Sequence, residues 1–117
     1  MTYDADVTVI AKKWGLDPRL LQAVVSAEGA DPMAIVRAVN CTPGINAKTR
    51  DDALAVLARS CTHAMRDFIT SYQFGPTFVE YWGHRWAPIG AANDPHGLNG
   101  NWIRNVTQAW LGKTSKS

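Results

Sequence analysis

Apolar positions along the chain recur at spacings of three and four, and no stretch alternates with period two. The pattern therefore predicts helices without strands. Val7, Ile10, Ala11 and Trp14 give the apolar face of a first helix over about residues 6–14, which Gly15 ends. Asp17-Pro18 opens a second, with Asp as N-cap and Pro at the first helical position, and Gly29 stops it after residues 18–28. Asp31-Pro32 predicts a third helix with the same opening, carrying Ile35, Val36 and Val39 and broken between Cys41 and Gly44. Thr49, with Asp52 three residues on as a box-like partner, caps the longest helix, expected to reach about Ser71. Gly75-Pro76 precedes a short aromatic helix holding Phe78, Tyr81, Trp82 and Trp86. A loop over residues 87–100 leads to a last helix with Trp102, Ile103, Val106, Trp110 and Leu111. The expectation is a compact all-α domain of about six helices over residues 1–112, with the basic tail 113–117 frayed.

Composition narrows this picture only slightly. A chain of 117 residues, 46% hydrophobic and 19% charged, makes one globular domain with a single core. The formal net charge of +2 is compatible with an anionic polymer but too small to argue for nucleic acid. No apolar run approaches a membrane span, and the first ten residues lack a signal-type apolar segment. Synthesis in the cytoplasm as a monomer, with no stable membrane insertion, is the expectation. Cys61 falls in line with Leu54, Leu57, Ala64 and Phe68, which predicts a buried thiol, and we expect Cys41 and Cys61 both to be free.

The chemistry centres on Glu28. Leu21, Val24 and Glu28 share one helical face, so a carboxyl group occupies a position where the pattern expects an apolar side chain. Burial beside Leu21 and Val24 and the negative end of the helix dipole both disfavour its charge, which predicts a raised pKa. A carboxyl held protonated near neutral pH is what general acid catalysis of glycosidic cleavage requires. Aromatic and amide side chains gather later in the chain. Tyr81, Trp82, Trp86 and Trp102 offer flat faces, and Asn93, Asp94 and Asn99 offer polar groups for an N-acetylated sugar, so these seven are the expected substrate-binding residues.

The stretch from Ala11 to Gly29, AKKWGLDPRLLQAVVSAEG, resembles the opening of lysozyme-like lytic transglycosylase domains. There a Gly-Leu-Asp-Pro turn leads a helix to the catalytic Glu. The segment WAPIGAANDPHGLNGNW and the small size resemble phage-encoded endolysins and virion lysins. The close match covers about twenty residues, and the final helix agrees loosely. The resemblance implies a lysozyme-like fold with Glu28 as general acid. It further implies cleavage of the β-1,4 bond between N-acetylmuramic acid and N-acetylglucosamine in peptidoglycan, with no metal or other cofactor. It also implies action at the bacterial cell wall, after release by lysis or carriage in a virion. The Gly-Leu-Met-Gln and Tyr-Asn-Ala-Gly stretches of that family are absent. A hydrolase would need a second carboxylate, for which Asp31, Asp51, Asp52 and Asp94 are candidates; a lytic transglycosylase needs only one acid.

Other chemistries find less support. His63, His84 and His96 show neither HExxH nor CxxC-type spacing, the NDPHGLNGN segment lacks a calcium-loop ligand pattern, and no phosphate loop or nucleophile elbow occurs. Two alternatives come from different classes. Residues 10–25 fit a helix-turn-helix, in which Arg19, Gln22 and Ser26 would face DNA. A non-catalytic phage structural protein with a lysozyme-like fold is the other.

Overall fold

The computed structural model describes residues 4–70, 77–86 and 100–111. These form six helices: α1 (Ala5–Trp14), α2 (Pro18–Glu28), α3 (Ala34–Val39), α4 (Arg50–Thr70), α5 (Phe78–Trp86) and α6 (Gly100–Leu111). The chain is a single small all-α domain, and no strand occurs among the described residues.

Local chemistry explains most boundaries. Gly15 ends α1 in the left-handed conformation at φ 69°, with its N–H donated back to the last turn. The Asp17 side chain accepts the Arg19 N–H, and Pro18 occupies the first helical position of α2. At α4 the expected box forms reciprocally. Thr49 Oγ1 accepts the Asp52 N–H at 3.1 Å, and Asp52 Oδ2 accepts the Thr49 N–H at 3.3 Å. The third helix differs from expectation. Asp31, Pro32 and Met33 form a turn, held by Asp31 Oδ1 accepting the Met33 N–H, and the helix begins only at Ala34. The Asp31 carboxylate closes that local turn and pairs with Arg37, so it does not cap a helix at Pro32.

The helices close into a ring around one core. α2 packs on α1, α3 and α6; α4 packs on α1, α3 and α5; and α5 against α6 completes the circuit. α2 is the most enclosed, with residues 20–25 all buried, so a helix that displays one apolar face in sequence is covered on several sides. The most extensive packing joins α2 to α6. The two run antiparallel, because Trp102 near the start of α6 reaches Glu28 at the end of α2, whereas Trp110 reaches Asp17 at its start. Cys61 is buried on the inner face of α4 and Cys41 is exposed; both are free. No helix among the described residues is long and apolar enough to cross a membrane.

Arg50 ties the other end of the ring. Its guanidinium donates to Asp6 at 2.7 Å, to Asp4 at 2.7 Å and to the Pro32 carbonyl at 2.8 Å, joining α1, the α2–α3 turn and α4. Asp4 in turn is tied to Gln22, whose Oε1 accepts the Asp4 N–H at 2.8 Å. The Asp6 carboxyl is held below the usual range chiefly by its hydrogen bond from Arg50. The unfolded chain binds that proton more readily than the folded one. The pair therefore stabilises fully above the ordinary Asp range, and its contribution disappears as pH falls through the lowered value. Because both partners are partly solvated, Arg50→Ala should cost about 1 kcal/mol at pH 7 in urea unfolding. The gap between parent and variant should narrow toward pH 2; a gap independent of pH would count against the ion pair.

Candidate functional site

The C-terminal turn of α2 meets α5 and α6 at the point where the ring closes. There Glu28 Oε1 accepts the Trp102 indole N–H at 3.1 Å and the Trp86 indole N–H at 3.4 Å. Indole nitrogens only donate, so both point at one carboxyl oxygen and leave Oε2 outside the pair. Glu28 is half-buried, and its pKa is raised: burial is the largest cause and outweighs the two indole hydrogen bonds, which favour the ionised form. With Oε1 occupied as an acceptor, Oε2 is the oxygen left to carry a proton whenever the group is protonated, and burial favours that form.

The aromatic residues divide into separate roles. Trp86 and Trp102 come together on Glu28; Trp86 is half-buried and Trp102 nearly buried. Trp82, expected among the substrate-binding residues, is instead core. It is 0% exposed, stacks on Phe78 at 5.8 Å, packs edge-on against Trp86 and Trp102, and donates its indole N–H to Ser60 Oγ at 3.0 Å. With its polar atom satisfied inside the protein, Trp82 is a backing for the other two indoles and cannot touch a ligand. Tyr81 turns toward α4, where its ring packs on Phe68 at 5.3 Å and lies under Arg85 at 5.8 Å. No hydrogen bond or ring contact joins it to Glu28. Asn93, Asp94 and Asn99 lie outside the described residues.

Of the candidate second carboxylates among the described residues, Asp31 and Asp52 hold structural partners. Asp31 pairs with Arg37 at 2.7 Å, and Asp52 caps α4; hydrogen bonds, led by the Met33 and Lys48 backbone N–H groups respectively, lower the pKa of each. Asp51 is exposed in the first turn of α4. A hollow of about 660 Å³ opens beside the end of α2, but it is lined by the already paired Asp4, Asp6, Asp31 and Arg50, and Glu28 is not part of it. Among the described residues no three His, Cys, Asp or Glu side chains gather as a metal site.

The pattern of apolar residues gives no hint of Gly83. A Cβ built at this helical glycine would stand 2.6 Å from Ile103 Cγ1 and 3.0 Å from Trp102 Cε3. The missing side chain lets α6 approach α5 closely enough for Trp102 to pack edge-on against Trp82 and aim its N–H at Glu28. Its signal in the sequence is a lone glycine inside an aromatic helix, which usually marks a close approach. Comparison with protein-family models, curated proteins and solved structures finds no match to this chain.

Two outcomes follow from this geometry. In a carbon-detected NMR titration Glu28 should ionise above the ordinary glutamate range. The folded protein holds this proton more tightly than the unfolded chain, so the associated stability is present at low pH and is lost as pH rises through the raised value. Glu28→Gln should remove that decline; an ordinary titration, or an unchanged pH dependence of unfolding, would contradict the buried proton. Gly83→Ala should lose about 1–3 kcal/mol despite the better helix propensity of Ala, with the Trp102 indole proton resonance displaced. A variant as stable as the parent would show that α5 and α6 are not in such close contact.

Proposed function

We propose that this protein is a peptidoglycan-degrading glycosidase of the lysozyme or lytic transglycosylase type, acting at the bacterial cell wall in the manner of a phage lysin, with Glu28 as general acid. The observation that carries the reading is the half-buried Glu28 carboxyl, with both indole donors on Oε1, Oε2 outside that pair, and a pKa raised by burial. In the reaction, Oε2–H would protonate the glycosidic oxygen as the bond to the anomeric carbon breaks, and the oxocarbenium-like transition state would leave Glu28 as a carboxylate. The two indole N–H groups then hold the charge that develops on Glu28, being already in place for it. Asp31 and Asp52 are committed to an ion pair and a helix cap, and Asp51 is exposed in the first turn of α4 with no contact to Glu28 among the described residues, which favours the one-acid route. In that route the new carboxylate takes back a proton as a substrate hydroxyl closes an anhydro ring.

The helix-turn-helix alternative asks α2 to enter a DNA groove. Residues 20–25 of α2 are buried, Gln22 among them, and α6 covers the helix, which leaves only Arg19 and Ser26 of the three candidate readers exposed. This burial disfavours DNA binding. A lysozyme-like structural protein without activity would share the same fold and is separated from an enzyme only by assay.

Glu28→Gln keeps an acceptor oxygen for both indoles and removes the transferable proton. Lysis of purified peptidoglycan should fall by at least about a hundredfold, the scale of general acid catalysis, while the variant stays folded. Glu80→Gln, at a half-buried position in the first turn of α5 with no contact to Glu28 among the described residues, should lyse at the parent rate. A folded Glu28→Gln protein that clears peptidoglycan like the parent would overturn the assignment.

A further inference from the structure

Trp86 faces two ways. Its N–H reaches Glu28, and its ring also walls a separate pocket of about 250 Å³ on the α4–α5 seam, together with Ile45, Arg59, Ser60, His63 and Arg85. The wall chemistry is uneven. Ile45 and the Trp86 ring are apolar, whereas Arg59, His63 and Arg85 place cationic or titratable nitrogens around the rim. Arg85 is already engaged, donating to Asp67 at 2.8 Å. Arg59 is different. It is exposed, one turn from His63 on α4, and makes no ion pair or hydrogen bond among the described residues.

We propose that this pocket is a subsite for a carboxylate borne on a side group of the glycan, held by Arg59 while Trp86 spans between it and the Glu28 carboxyl. The proposal rests on the glycosidase reading and deepens it, since it makes the preferred substrate an acidic glycan over a neutral one. The volume supports a side group. At about 250 Å³ the pocket falls below the roughly 300–1,000 Å³ of sites that enclose a drug-sized ligand, so it suits a short acidic substituent while the sugar ring stays outside. A free guanidinium matches a carboxylate through two parallel N–H···O contacts, and an indole face supplies the neighbouring apolar contact for a pyranose or side-chain carbon. The carboxylate could come from the lactyl ether of a muramic residue or from a peptide attached to it; the chemistry at Arg59 is the same.

The test uses the full chain carrying Glu28→Gln, so that ligands bind without turnover, titrated calorimetrically with three probes. These are neutral chitotetraose, a GlcNAc–MurNAc disaccharide without peptide, and the same disaccharide with its peptide. Adding Arg59→Gln should weaken at least one acidic probe by about two- to fivefold, as expected of a solvated charge pair, and leave chitotetraose unchanged. Arg59→Lys should retain most of the affinity. Weakening of both acidic probes assigns the lactyl carboxylate, and weakening of the peptide-bearing probe alone assigns the peptide. If Arg59→Gln binds every probe like its parent, the subsite is wrong and the glycosidase reading stands. If none of the probes binds even with Arg59 present, the glycan reading fails and the subsite with it. Arg59 is exposed and has no ion pair or hydrogen bond among the described residues, so its replacement should leave thermal unfolding close to the parent's.

Discussion

One carboxyl oxygen joins three helices. Glu28 Oε1 ends α2, receives Trp86 from α5 and receives Trp102 from α6, at the place where the helical ring closes. Taking a carboxyl group out of water is costly unless it is hydrogen-bonded or neutral; this one is hydrogen-bonded, and its raised pKa favours the neutral form. Two neutral donors on one oxygen offset part of the desolvation without supplying a counter-charge. A guanidinium in the same place would favour an ionised group and give a salt bridge. Two indoles leave the pKa raised, so the residue that joins the three helices is also one whose protonated form is favoured.

The other end of α2 shows how far environment decides the outcome. Asp17 also receives an indole N–H from α6, from Trp110 at 3.1 Å, so the same pairing brackets the helix at both ends. Yet Asp17 has a lowered pKa. Burial raises it, but hydrogen bonds from Trp110 and the Arg19 backbone and the Arg19 charge together outweigh that effect. Asp17 sits at the positive end of the helix dipole with a cation beside it, and Glu28 sits at the negative end with none among the described residues. Two carboxyl–indole contacts across one helix pair thus accompany opposite shifts, one favouring the ionised cap and the other favouring the protonated acid. Gly83 connects the arrangement to packing, because α6 reaches Glu28 only if nothing projects from α5 at that position.

Much of the scaffold is legible because its signals are local. Asp17-Pro18 and Gly29 delimit α2, Thr49 and Asp52 open α4, and Leu54, Leu57, Cys61 and Ala64 all turn inward at the expected spacing. The start of α3 is less legible, since Asp-Pro opens turns as readily as helices and here Asp31 closes a turn. At the site, the position of Glu28 on an apolar stripe announces its burial, but its partners lie 58 and 74 residues away and no periodicity reveals them. Spacing places Trp82 and Trp86 on one face of α5 without saying which is core. That depends on the depth at which α5 meets Ser60 and α6, a property of the packed molecule.

The decisive question is whether the Glu28 proton is the one used in bond cleavage. The most direct measurement is the pH profile of kcat/KM on purified peptidoglycan, set beside the NMR titration of Glu28 in the same protein, for the parent and for Trp102→Phe. Removing an indole donor withdraws support from the ionised form, so Trp102→Phe should raise the Glu28 pKa. The alkaline limb of activity should match the Glu28 titration in the parent and move upward with it in the variant. An alkaline limb that stays fixed while the Glu28 titration moves, or peptidoglycan left uncleaved at every pH, would contradict the account.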